Sequence, residues 1–232
     1  MYKYLNLFLL GVSLNAFGAH ANPSELHIVT FDIAPFSYFE NNELKGYNID
    51  ILKQLEKSSG LKFNYEVLPY ERLKLFLKRG TPDLLINLRA LCLKNSKAYE
   101  VQEKLYETVP AIFVKKGTQP TRGNIRVGRL LGTCGLVSKK YLKNANIVDL
   151  PSLDQAVEML VDKKIDSICG LGPVVNYSLQ KRKFSEPMVI YKSQTNDDHM
   201  FDAVLCRKKS LSPAIKKQLE QAARGIKIPK II

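Results

Sequence analysis

Residues 27–88 constrain this chain more than any other stretch, because they fit three strands and two helices into one run punctuated by Pro and Gly. An apolar segment ends at Phe31, and Ala34-Pro35-Phe36 marks the loop that follows. Helical spacing from Tyr47 to Ser59 puts Ile51, Leu52 and Leu55 on one stripe, with Gly60 placed as the stop. A strand over Lys62–Leu68 runs into Pro69. The next helix buries Leu73, Phe76 and Leu77 and closes at Gly80, and Asp83–Leu88 is short and apolar enough for a central strand. A βαβαβ order of this kind calls for parallel strands with helices on the faces. Ligands of such sheets bind outside the carboxyl ends of the strands, so the loops after Phe31, Leu68 and Leu88 are the expected site walls.

The order Ala34-Pro35-Phe36, Gly46-Tyr47-Asn48-Ile49-Asp50, Gly60, Pro69-Tyr70-Glu71-Arg72, Gly80 and Asp83 resembles the first lobe of the family 3 periplasmic solute-binding proteins, the bacterial polar amino-acid receptors. Arg72 completes the P-x-x-R signature of a subgroup of short, receptor-like proteins. The resemblance implies an α/β fold of the two-lobed type II periplasmic-binding-protein class. Each lobe would be a mostly parallel sheet flanked by helices, and two hinge crossings would let the lobes close on a solute. It also implies a binding role without chemistry, in the service of an inner-membrane ABC permease or a membrane-bound sensor. A monomer is expected, with no cofactor.

The strand–helix punctuation continues to the end of the chain. Ala111–Val114 leads into a turn-rich basic stretch over 115–123, read as the first crossing, near 111–116. A second β-α series starts at Ile125–Gly128, and Ser152-Leu153-Asp154-Gln155 has the form of a capping box. The strand Phe201–Cys206 crosses back, near 200–206, and Ser212-Pro213 opens a last helix. Lobe 1 is therefore expected over 22–113 and 203–232, and lobe 2 over 117–200. No internal repeat is visible in the residues.

Residues 1–21 have one lysine, an apolar run from Leu5 to Leu14 and a small-x-small end at Ala19-His20-Ala21. That is the grammar of a cleaved secretory signal peptide, and it places the protein in the periplasm. The formal net charge is +13, scattered over helix faces. Export and the lack of any nucleic-acid-binding signature leave a solvated basic surface or an electropositive cleft as its meaning. Four cysteines, Cys92, Cys134, Cys169 and Cys206, sit in a compartment that permits disulfides. They allow three full pairings as well as buried free thiols. There is no C-x-x-C pair or zinc-finger histidine spacing, so no metal site is expected.

The resemblance also says where an amino-acid clamp belongs. The family's carboxylate-binding arginine, twelve residues after the aspartate of the third strand, falls here on Asn95, and its ammonium-binding acid in lobe 2 falls near Leu171. Neither position has the required charge. Arg89 is the nearest guanidinium, either a relocated anion clamp or a surface arginine at a strand end. Tyr70 is placed to lie under a planar ligand or in the core, and Arg72 to face the cleft or pin its helix. Gly132-Thr133-Cys134-Gly135 resembles the lobe 2 loop that offers a hydroxyl and amides, with Cys134 either a cleft thiol or bonded to Cys169. Asp32, Phe36 and Asn87 complete the expected rim. The ligand expected is a small polar or anionic solute, with ordinary L-amino acids bound weakly or not at all. The competing reading is an enzyme on the same fold, dehydratase-like, built on His199 with Asp197 and Asp198 or on a Cys134–His199 pair.

Overall fold

The computed structural model describes residues 25–118, 125–141, 144–193 and 200–231. The expected leader, and His199 with Asp197 and Asp198, lie outside the described residues. The chain runs through β1 (Leu26–Phe31), β2 (Tyr38–Glu40), β3 (Glu43–Lys45), α1 (Tyr47–Ser59), β4 (Phe63–Leu68), α2 (Tyr70–Arg79), β5 (Leu84–Leu88), α3 (Arg89–Lys94) and β6 (Tyr99–Glu107). It continues through β7 (Pro110–Lys115), β8 (Arg126–Leu130), α4 (Gly135–Tyr141), β9 (Asn146–Leu150), α5 (Leu153–Val161), β10 (Ser167–Leu171), α6 (Gly172–Lys181) and β11 (Met188–Ser193). It ends with β12 (Asp202–Lys208) and α7 (Pro213–Ala223).

Two five-stranded sheets result, ordered β4-β1-β5-β12-β6 and β11-β7-β10-β8-β9. Their directions are mixed rather than mostly parallel. The βαβ strands β4, β1 and β5 pair parallel, as do β10, β8 and β9, while β12 and β7 run antiparallel to their neighbours. The antiparallel strands flank the crossings between lobes, so the chain enters each sheet against the grain of its βαβ core.

The first crossing differs from the one expected at 111–116. Pro110–Lys115 is a strand of the second sheet, paired with β10 and β11, and the chain leaves the first sheet after Glu107. Lobe 1 therefore stops short of 113, and lobe 2 begins with β7 rather than at 117. Apolar Ala111–Val114 is equally at home in either sheet by pattern; its partners are what assign it. The second crossing precedes β12, which is wholly a lobe 1 strand. The two crossings lie side by side, with Thr108 N donating to Phe201 O at 3.3 Å and Glu107 paired with Asp202.

Helices cover both faces of each sheet. On the first, Ile51, Leu52 and Leu55 of α1 share a core with Ile215 and Leu219 of α7, while Leu73 and Leu77 of α2 pack with Cys92 on the other side. On the second, Ala156, Val157 and Leu160 of α5 meet Val174, Val175 and Leu179 of α6, opposite Val137 of α4. Gly60 and Gly80 end α1 and α2 in left-handed conformation, and Ser152 Oγ accepts from Gln155 N at 3.2 Å to start α5. Two disulfides form, each inside one lobe: Cys92–Cys206 joins α3 to β12, and Cys134–Cys169 joins the loop before α4 to β10. Among the described residues no helix is long and apolar enough to cross a membrane.

Candidate functional site

The carboxyl ends of β1, β5, β8 and β10 all point to one region between the lobes, and a cavity of ≈ 200 Å³ lies there. Lobe 1 contributes Phe31, Ile33, Phe36, Asn48, Tyr70, Asn87 and Tyr106; lobe 2 contributes Leu130, the 132–135 loop, Leu153, Gly170 and Leu171; Thr108 and Phe201 come from the crossings.

Gly46 is what brings Phe36 and Asn48 into place. At φ 120 it turns the chain so tightly that a β-carbon would strike the Phe36 carbonyl. The first amides of α1 then dock on the preceding loop, Tyr47 N to Pro35 O at 3.0 Å and Asn48 N to Phe36 O at 2.9 Å. Phe36 is buried and stacks on Tyr106, with ring planes 2° apart. Tyr106 donates its hydroxyl to Asn48 Oδ1 at 2.6 Å, and burial pushes its phenol well above the ordinary tyrosine range.

Of the residues singled out in the sequence, Phe36, Tyr70, Asn87, Thr133 and Cys134 line the cavity, whereas Asp32, Arg72 and Arg89 are not among its walls. Tyr70 meets Phe31 edge-on at 5.9 Å, and burial raises its phenol pKa. Asn87 Oδ1 accepts from Leu88 N at 2.7 Å, which leaves its buried Nδ2 without a partner. The Thr133 hydroxyl donates to Leu130 O at 2.7 Å, and Cys134 is bonded to Cys169 rather than free. A Cys134–His199 nucleophile pair is therefore ruled out by the disulfide.

Asp32 is solvent-accessible, yet partial loss of hydration raises its carboxyl pKa. Arg72 is exposed and lies over the Phe76 ring at 5.7 Å. Arg89 points to Asp202, 3.7 Å away, whose buried carboxylate also meets Lys104 Nζ at 3.1 Å. Of the two positions where the clamp was sought, Asn95 caps α3 and donates to Leu91 O at 2.8 Å, while Leu171 adds an apolar wall to the cavity.

The sequence reading missed Asn48, Tyr106, Thr108 and Phe201. Asn48 stood inside the Gly46-Tyr47-Asn48 signature and was read only as a mark of the fold. The other three join the site because the two crossings run together, a juxtaposition without a local signal. Thr108 Oγ1 is a second buried polar atom without a partner on the cavity wall. No carboxylate, lysine, arginine or histidine lines the cavity among the described residues. Nor do these residues contain a cluster of three or more metal-ligating side chains.

Comparison with known proteins agrees with this architecture. Residues 27–227 match the bacterial extracellular solute-binding proteins, family 3. The chain is 27% identical over 165 residues to the ABC transporter arginine-binding protein 1 of Escherichia coli, covering 69% of this chain and 68% of that one. It is 24% identical over 140 residues to a probable histidine-binding protein of Campylobacter jejuni, a match that spans 58% of this chain and only 54% of the relative. In three dimensions it superposes on an arginine-specific periplasmic binding protein of Salmonella typhimurium with a TM-score of 0.67 at 16% identity, covering 86% of this chain and 92% of that one.

Proposed function

The chain belongs to the bacterial extracellular solute-binding proteins, family 3, and from that premise we propose that it captures a small solute by closing two lobes around the central cavity, and hands it to an ABC permease. One observation carries this reading: a single cavity is walled by the carboxyl ends of the parallel strands of both sheets, next to two adjacent crossings. Paired crossings of this kind act as a hinge, and a solute bridging both lobes favours the closed arrangement by contacts that the open one lacks. The protein works as a monomer in the periplasm, delivered there by its leader. The relatives named for arginine and histidine put those two amino acids into the first ligand panel. Yet the two positions where family members hold an amino acid's charged ends are Asn95 and Leu171 here, and the positive side chains nearby face elsewhere.

Thermal shift and calorimetry on the exported protein, with basic, acidic and neutral solutes, test the reading directly. Binding raises the melting temperature by mass action. A solute that does so in the wild type, and does so far less in Tyr70→Ala, supports capture in this cavity. Stabilisation that persists unchanged in Tyr70→Ala would place binding elsewhere and overturn the proposal.

A further inference from the structure

We infer that the solute held between the lobes is uncharged: a compact apolar or aromatic body carrying one neutral hydrogen-bonding group that Asn87 and Thr108 receive. This rests on the cavity being the solute site, as proposed above, and names the chemistry it selects.

Among the described residues the walls carry no formal charge. Their lining is aromatic, aliphatic or neutral polar. The charged groups close by are engaged elsewhere or with one another, Arg89 beside Asp202, Arg72 over Phe76, and Lys74 on Glu71 where that pair packs behind Gly132. A carboxylate or ammonium brought into such a space gives up its hydration and meets no counter-charge, a loss that neutral hydrogen bonds do not offset. A free amino acid would bring both charges.

The polar groups that do line the cavity divide into satisfied and unsatisfied. Asn48 Oδ1 is taken by Tyr106, and the Thr133 hydroxyl by Leu130 O. Asn87 Nδ2 and Thr108 Oγ1 remain, both buried and both without a partner. Buried polar atoms are ordinarily paired; Gln102 and Ser167 hold unpaired ones outside the lining, but these two line the cavity and so offer partners to a ligand's polar group. The asparagine nitrogen only donates, and the hydroxyl either donates or accepts, which suits an amide or carbonyl oxygen with a neighbouring N–H or O–H. Size fits as well. An apolar cavity of about 150 Å³ admits benzene, so ≈ 200 Å³ admits a ring with one small substituent.

Three ligands of one shape and three charges provide the test: benzamide, benzoate and benzamidinium, titrated into the exported protein alongside L-arginine and L-histidine. Benzamide should bind at least about tenfold tighter than either ion, the weight of roughly one well-made hydrogen bond. Thr108→Val should weaken benzamide several-fold. Asn87→Asp should lose benzamide and gain benzamidinium, an inversion that a misfolded variant cannot produce. Tighter wild-type binding of benzoate, benzamidinium, L-arginine or L-histidine than of benzamide, abolished in Tyr70→Ala, overturns the uncharged class while leaving solute capture intact. If none of the five probes binds in a Tyr70-dependent manner, the inference falls, while solute capture stands or falls on the wider panel above.

Discussion

Tyr38 and Tyr177 meet across the cleft, their ring centroids 5.6 Å apart and tilted by 54°. Tyr38 belongs to the β2–β3 hairpin of lobe 1 and Tyr177 to α6 of lobe 2, so this contact exists only when the lobes are together. Loss of hydration, helped by the Tyr177 hydroxyl, raises the Tyr38 phenol pKa. The hairpin thus touches the opposite lobe directly.

Tyr38→Ala should therefore open the molecule without unfolding it. An aromatic pair contributes about 0.5–1.5 kcal/mol beyond its buried area, so the closed-to-open ratio should fall roughly two- to tenfold. Affinity for a solute that needs the closed state should weaken by up to the same factor. Small-angle scattering and calorimetry on the same sample check both, and an unchanged Kd would show that the contact does not hold the lobes together.

Gly46→Ala should cost stability out of proportion to its size. The substitution demands a positive φ of an L residue and drives a methyl into the Phe36 carbonyl, for a cost of about 3 kcal/mol. Gly60, at φ 70 with open space around it, is the control. Alanine there should cost about 1 kcal/mol, the left-handed backbone penalty alone. Urea unfolding of both variants separates steric from conformational cost, and equal losses would contradict it.

The two disulfides should contribute unequally. Cys134–Cys169 closes a separation of 35 residues and Cys92–Cys206 one of 114. On the chain-entropy account the first contributes about 4 kcal/mol and the second about 5 kcal/mol. Paired Cys→Ser variants compared by denaturant melts should keep that order. A Cys134→Ser/Cys169→Ser protein as stable as wild type would show that the bond does not stabilise lobe 2.

Asp166 should set part of the acid limb of the stability curve. The Arg126 guanidinium, helped by the Arg126 backbone amide, holds its carboxyl below the usual carboxylate range against some desolvation. A group whose pKa is lowered by folding adds stability above its unfolded value, near 4, and loses that stability as pH falls through the folded value. The pair is largely solvated, so Asp166→Asn should cost only about 1 kcal/mol at neutral pH and almost nothing in strong acid. Melting temperatures of both proteins should converge as pH drops below about 4; parallel curves would sink the assignment.

The βαβαβ stretch was legible because its signals are local: helical stripes with glycine stops give α1 and α2, and a short apolar run gives β5. What escaped depends on distant partners. Pro110–Lys115 shows no feature that chooses between sheets, and β6, with four charged residues in nine, does not look like a strand until β12 lies beside it. Arg89 sits at a strand end as expected, but its orientation is decided by Asp202, far along the chain. The repeat between lobes is likewise invisible in the residues. Asp83 accepts from His27 N and donates its own amide to His27 O; Asp166 does the same with Arg126, at the same place in the second sheet. The aspartate and its pair of hydrogen bonds repeat, while the residue it faces, histidine in one lobe and arginine in the other, does not. The site was half readable: strand ends pointed to Tyr70, Asn87 and the 132–135 loop, while the unpartnered Thr108 hydroxyl emerges only where the two crossings meet.

The position of β12 between β5 and β6 determines the order in which the protein can be built. Lobe 2 is drawn from one continuous span, 110–193, and can close before the rest of the chain is available. Lobe 1 emerges earlier but waits with an empty slot in the middle of its sheet until the last strand arrives, reversing the usual sequence in which the N-terminal unit folds first. Cys92 waits with it, since its partner Cys206 is carried on that strand. Until then, the other thiols of the chain are Cys134 and Cys169 of lobe 2, which the finished fold pairs with each other.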